Sequence, residues 1–316
     1  MAGETIDPAT QAWPEVREED APTSVRALYQ EMREVLRVPF VDQLWRVLAN
    51  EPDYLAAAWR WLAPWLGGME AERLADGLRH AAVIELAIGL PAHKAFRGDM
   101  TRNEIGADDR ERISNFTMAA HYVLPKLLLA ATALTNRAGG SAAQSDRSIQ
   151  REEPLPRGVA EGMPRVEPID PDEAFGEIPG LFAAIRAAHG YQPIADYYRT
   201  IARAGDFLRI AWNPLRPIVG DPEYTKQCRS VLDAAGAAAI SLVHGVGRAP
   251  EAPAALRTAL DFYATRLLPE TLVEVTIIKG LTDGPDGAAE NRYSLATTAG
   301  YPRRGESGAL RPGPEQ

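Results

Sequence analysis

The chain carries one stretch of sequence twice. Residues 28–67 lie without a gap over residues 181–220 at an offset of 153, as from Trp59 to Trp212. The matched pairs include Leu28/Leu181, Arg33/Arg186, Arg46/Arg199, Asp53/Asp206, Leu55/Leu208, Ala58/Ala211, Leu62/Leu215, Pro64/Pro217 and Gly67/Gly220. A weaker echo pairs Leu124-Pro125 and Leu128-Leu129 with Leu268-Pro269 and Leu272-Val273, at an offset of 144. Copies this long exceed a solenoid period, which runs to roughly 50 residues, and predict two like halves packed as a pseudo-dimer about an approximate twofold axis. A site between such halves comes in two related versions. Here Asp196 in the second half stands opposite Gln43 in the first, so the expected carboxylate belongs to one half only.

Apolar residues recur at three- and four-residue spacing, as in Leu28, Met32, Val35 and Leu36, and no sustained alternation points to sheet. The fold class predicted is therefore all-α, a duplicated helical repeat with the site between the halves. In the first half helices are expected near 23–36, 40–50, 53–66, 69–89, 108–123 and 125–136, with Pro125 kinking or breaking the last pair. In the second they are expected near 179–188, 193–204, 206–217, 221–245, 253–267 and 269–280. The organisation read from this is an N-terminal tail at 1–19, a first repeat at 20–137, an extended linker at 138–175, a second repeat at 176–281 and a disordered tail at 282–316.

The 316 residues carry a net charge of −9, and no basic run offers a surface for nucleic acid. The apolar stretches near 81–90 and 122–134 are too short or too interrupted for a bilayer span, so no membrane partner is expected. The N-terminus lacks a secretory pattern, and the single cysteine, Cys228, excludes an internal disulfide; a cytoplasmic setting is expected. It also excludes the cysteine pair of a thiol peroxidase. Neither a GxSxG, a GxGxxG nor a P-loop motif occurs, and the histidines show no metal spacing.

Asp196 lies in Tyr191-Gln-Pro-Ile-Ala-Asp-Tyr-Tyr, behind a proline that opens a helix. A first-turn aspartate is favoured by the helix dipole and reads most simply as a solvated structural residue. Its apolar and aromatic neighbours argue the other way, because a carboxylate in an apolar pocket becomes more basic and suits a general base. His121, in Met118-Ala-Ala-His-Tyr-Val-Leu-Pro, reads as a hydrogen-bonded core histidine or as a second catalytic group. The aromatics Trp45, Trp59, Trp61 and Trp65 read as core, since their repetition serves both halves.

In these and further residues the chain resembles the group I 2-haloacid dehalogenases, the D-specific and DL-type hydrolytic enzymes. The resemblance runs from about residue 13 to 282: Arg37-Val-Pro-Phe-Val-Asp-Gln-Leu-Trp-Arg, then Pro52-Asp-Tyr-Leu-Ala-Ala-Ala-Trp-Arg, Pro125-Lys-Leu-Leu-Leu, Pro156-Arg-Gly, Pro193 to Asp196, and Glu223-Tyr224 with Arg229. It implies a duplicated all-helical fold, often a homodimer, acting without a cofactor on a small-molecule substrate, a short halogenated carboxylic acid. It also implies that Asp196 activates a water, which displaces halide from C2 with inversion and no ester intermediate. The expected pocket comprises Phe40, Gln43, Leu124, Ala195 and Tyr191. The pattern departs from the family at Leu124, where the family has a water-holding asparagine, and His121 one turn earlier is the expected substitute. Gln43 replaces a pocket phenylalanine, and Ala195 a serine. The alternative reading is a silent or repurposed member that binds a small organic acid without turning it over.

Overall fold

The computed structural model describes residues 6–135, 154–204, 206–243 and 247–298. The first copy of the repeat forms α1 (Thr23–Leu36), α2 (Gln43–Leu48), α3 (Pro52–Leu66) and α4 (Met69–Ala81). After it come α5 (Glu85–Ile88), α6 (Leu90–Arg102) and the long α7 (Ala107–Leu134). The second copy forms α8 (Ile178–His189), α9 (Asp196–Ile201), α10 (Phe207–Leu215) and α11 (Pro222–Leu242). Then α12 (Ala254–Phe262) runs through one π-turn, Tyr263–Leu267, into α13 (Leu268–Asp283), and α14 (Leu295–Thr298) ends the described chain. Among the described residues the only β feature is one isolated bridge between Gly68 and Pro154, so the molecule is all-α.

The copies repeat in structure as in sequence. Shifting α2 by the repeat offset lands it on α9, and α1, α3 and α4 fall on α8, α10 and α11. Even the caps correspond: α1 ends on Arg37 at φ 65° and α8 on Gly190 at φ 71°, both left-handed. Glycine adopts that conformation freely, whereas an arginine does so at a cost of about 1 kcal/mol.

Helices α7 and α13 pack along one another at the centre, and α4, α6 and α11 pack around them. Every residue of α7 from His121 to Leu134 is buried, and so is α13 from Leu268 to Leu281. This explains a departure from expectation. Pro125 does not break α7, although an interior proline removes a hydrogen bond and costs about 3 kcal/mol; the buried apolar side chains on all its faces hold the helix together. The corresponding Pro269 is met differently, by the wider π-turn just before it. By length and composition alone α7 would cross a membrane, but 89% of its most apolar window is buried inside the molecule, as in a core helix.

Other boundaries moved. The helix expected over 69–89 stops at Ala81, and an unforeseen α6 starts at Leu90-Pro91, where the proline suits a first turn. Asp196 begins α9, so Pro193 precedes the helix rather than opening it. The N-terminal segment is no loose tail: Trp13 is buried with its ring 5.4 Å from that of Phe262. The tail expected to be disordered from 282 is folded as far as residue 298, because Tyr293 and Asn291 are buried and Asn291 Nδ2 donates to the Met118 carbonyl at 2.9 Å. Residues 299–316, the linker up to 153 and the helix end expected at 244–245 lie outside the described residues. From Pro154 the linker runs over the first copy, with the Gly158 and Ala160 amides donating to the Glu34 and Arg37 carbonyls. It then crosses to the second, where the Ile169 amide donates to the Arg199 carbonyl at 3.1 Å.

Candidate active site

Helices α2 and α9 open into one cavity of about 590 Å³. Both begin after an extended residue, Asp42 for α2 and Ala195 for α9, so corresponding positions of the two copies present side chains and free amides to the same space. One wall comes from α7, whose Phe116, Ala120, Val123 and Leu124 lie at helical spacing on a single face. Tyr263, Leu267, Leu268 and Thr271 of the π-turn and α13 make another wall. Residues 15–19 and 165–170 border the opening, tied together by an ion pair between Arg17 and Asp170.

Asp196 lines the cavity with its side chain 16% exposed. Its Oδ2 accepts the Gln43 backbone N–H at 3.0 Å; Oδ1 accepts from Arg46 Nη2 at 2.8 Å and lies 3.2 Å from Arg199 Nη1. Glu15 ties the cluster together, accepting from Arg46 Nε at 2.9 Å on one oxygen and, on the other, from Arg199 Nη1 at 2.7 Å and the Gln43 side-chain Nε2 at 3.0 Å. Burial alone pushes the Asp196 carboxyl up, but the two guanidiniums and the Gln43 N–H hold it below the ordinary carboxylate range. The expectation of a more basic Asp196 is therefore reversed: apolar neighbours were visible in sequence, the arginines folded against them were not.

A second carboxylate shares the cavity. Asp42 caps α2, its Oδ1 accepting the Leu44 N–H at 3.0 Å, and it lines the same space. Burial and then the neighbouring Asp196 charge push its carboxyl up to about 7. The first copy thus supplies a carboxylate after all, one position earlier than the Asp196 equivalent.

Of the residues expected at the site, Phe40, Gln43, Leu124, Ala195 and Asp196 line the cavity; His121 and Tyr191 are not among its lining residues. His121 falls on the adjoining face of α7, fully buried, with Asn291 Nδ2 3.3 Å from its Nδ1. Burial pushes its pKa well down, and it is neutral. It does not line the cavity in whose wall Leu124 stands. Tyr191 stacks on His189 with ring centroids 5.1 Å apart and meets the edge of Phe262 at 5.0 Å, away from the cavity. Arg46, Arg199, Asp42 and Glu15 were missed. Arg46/Arg199 was readable, being a charged pair kept in both copies among apolar positions, and Asp42 had the signature of a helix cap. Glu15 had no signal.

No protein-family model matches the chain. A configuration-inverting 2-haloacid dehalogenase of Pseudomonas sp. (strain 113) is 27% identical over 308 residues, covering 92% of this chain and 98% of its own length. A second, from Alcaligenes xylosoxydans xylosoxydans, is 25% identical over 300 residues, covering 90% and 98%. A solved D-2-haloacid dehalogenase mutant superposes with a TM-score of 0.67 at 22% identity, over 86% of this chain and 96% of that one. Over nearly its whole length the chain is similar to 2-haloacid dehalogenases, and it shares their fold. The cavity reached from both copies is the candidate active site, and the arginine-bound Asp196 lines it.

Proposed function

We propose that the protein is a hydrolase that converts a short 2-haloalkanoic acid to the 2-hydroxy acid by direct attack of a water activated by Asp196. The oxygen of that water forms the new bond to C2 as the carbon–halogen bond breaks behind it; halide leaves with the electron pair, the centre inverts, and no ester forms on the protein. The reading extends to a cytoplasmic, cofactor-free enzyme in which the two copies act as a pseudo-dimer around the site, with homodimerisation of the whole chain as its expected assembly. One observation carries it: the Asp196 carboxylate, ionised by Arg46 and Arg199, lines a cavity that also presents the apolar side chains of Phe40, Leu124 and Tyr263. Such a wall suits the halogenated carbon, and a water fixed there is already shed of most competing solvent. Arg165 and Arg203 supply positive charge on the cavity lining for the substrate carboxylate.

The test is halide release from each enantiomer of 2-chloropropionate by the wild type and by Asp196→Asn. Loss of release by 10²-fold or more in the variant is expected, roughly the scale set by removing a polar group that acts in the transition state; release at the wild-type rate eliminates the role of Asp196. Leu124 motivates a second reading. Its side chain cannot hydrogen-bond, and it stands in the cavity wall where the resemblance places an asparagine. A thermal shift with haloacids or hydroxy acids, unaccompanied by halide from either enantiomer, favours a binding protein that no longer turns its ligand over.

A further inference from the structure

Asp196 and Asp42 take consecutive amides at the start of α2: the Gln43 N–H goes to Asp196 Oδ2 and the Leu44 N–H to Asp42 Oδ1, each at 3.0 Å. The carboxylates are thereby set side by side, both lining the cavity. Their surroundings differ sharply. Both Asp196 oxygens are engaged, one by two guanidiniums and one by an amide. Asp42 has no ion-pair partner among the described residues, and its Oδ2 has no hydrogen-bond partner there. A carboxylate bound by two arginines holds a water firmly but accepts a proton weakly; its unpaired neighbour does the reverse.

We infer that Asp42 and Asp196 divide the work of the base, Asp196 orienting the attacking water and Asp42 Oδ2 receiving its proton. This rests on the hydrolytic reading above and deepens it. As the water oxygen bonds to C2 and halide departs, the water O–H bond breaks and its proton passes to Asp42, which returns it to solvent once product leaves. The groups facing the pair are Arg46 of α2, Arg199 of α9, Glu15 of the N-terminal segment and Tyr263 of the π-turn. Burial and the Asp196 charge raise the Asp42 carboxyl to about 7, which matches a proton acceptor working near neutrality. Pseudo-symmetry alone gives no such pair, because Ala195 occupies the Asp42 position of the second copy.

Two measurements test this. In the pH dependence of halide release, kcat/KM of the wild type falls as pH drops through about 7. Asp42→Asn, which keeps an oxygen for the Leu44 N–H, lowers kcat by about 10²-fold or more with little change in KM and abolishes that limb, while Asp42→Glu restores part of the rate. An Asp42→Asn protein with wild-type kcat and an unchanged acid limb overturns the inference. Independently of turnover, ¹³C-carboxyl NMR of the wild type shows one aspartate titrating near 7; Asp42→Asn removes it and Asp196→Asn moves it down. An Asp42 that titrates in the ordinary carboxylate range overturns the pairing even if halide is released. The near-neutral titration in a protein that releases no halide from either enantiomer supports the pair and counts against the hydrolytic reading instead.

Discussion

Arg46 and Arg199 occupy one position in two copies of a repeat, yet both close on the same oxygen of Asp196, at 2.8 and 3.2 Å. A duplication would give each arginine its own partner. Here the partner exists in one copy only, so two symmetric cations serve one asymmetric anion, and Glu15 bridges them. All are shielded from water, with arginine side chains 8% and 5% exposed, and removing one partner leaves charge uncompensated. Arg46→Met is expected to lower stability by about 3 kcal/mol in urea melts. The pH sign follows from the depressed Asp196 carboxyl: its contribution is present above the unfolded value near 3.8 and lost as pH falls through the lower folded value. Arg46→Met moves that loss to higher pH, visible as an acid-unfolding midpoint nearer neutrality.

Asp42 has the opposite sign. Its folded carboxyl, about 7, lies above the ordinary 3.8, so the folded state holds a proton that the unfolded state has released, and stability falls as pH rises between the two. Asp42→Asn keeps the helix cap and has no charge to bury. Its Tm should equal that of the wild type near pH 4 and exceed it by about 4 °C or more at pH 8. A Tm difference that does not change with pH contradicts the buried-charge argument.

Glu72 and Lys126 form a fully buried ion pair at 2.7 Å, and the Tyr122 hydroxyl donates to the same Glu72 oxygen at 2.6 Å. Burial pushes Lys126 down to about 8 despite its partner, so the pair is held by geometry in a costly setting. Lys126→Met alone should destabilise by about 3 kcal/mol, by removing the closer of the two cations paired with the buried Glu72. Adding Glu72→Gln should recover a substantial part of that loss, and a double-mutant cycle in denaturant reads the coupling.

At Gly280 of α13, a Cβ would sit 2.8 Å from Cγ2 of Ile88, the last residue of α5, closer than packed atoms approach. Gly280→Ala should cost about 1–3 kcal/mol by overpacking. Ile88→Ala in the same background, which removes Cγ2 and Cδ1, should recover part of it. Urea midpoints of the two variants against the wild type check both signs.

Much of this architecture was legible before any coordinates, and the reason is periodicity. Leu55, Ala58, Trp59 and Leu62 repeat as Leu208, Ala211, Trp212 and Leu215; the spacing fixes a helix face, and the duplication fixes that there are two. What stayed hidden depends on contacts distant in sequence. Pro125 reads locally as a break because the cost is local, whereas the burial that outweighs it comes from α4, α11 and α13, all distant in sequence. The folded segment around Tyr293 and Asn291 reads as polar tail, since its anchoring partner is a carbonyl on α7.

The sequence by itself determined the helical class, the duplication and the break in it at Asp196 opposite Gln43. Only the tertiary structure decided how acidic that carboxylate is and who stands beside it, because a pKa follows the charges within a few ångströms. Those charges, from Glu15, Asp42, Arg46 and Arg199, lie on three separate stretches of chain that meet only when the two copies close on each other.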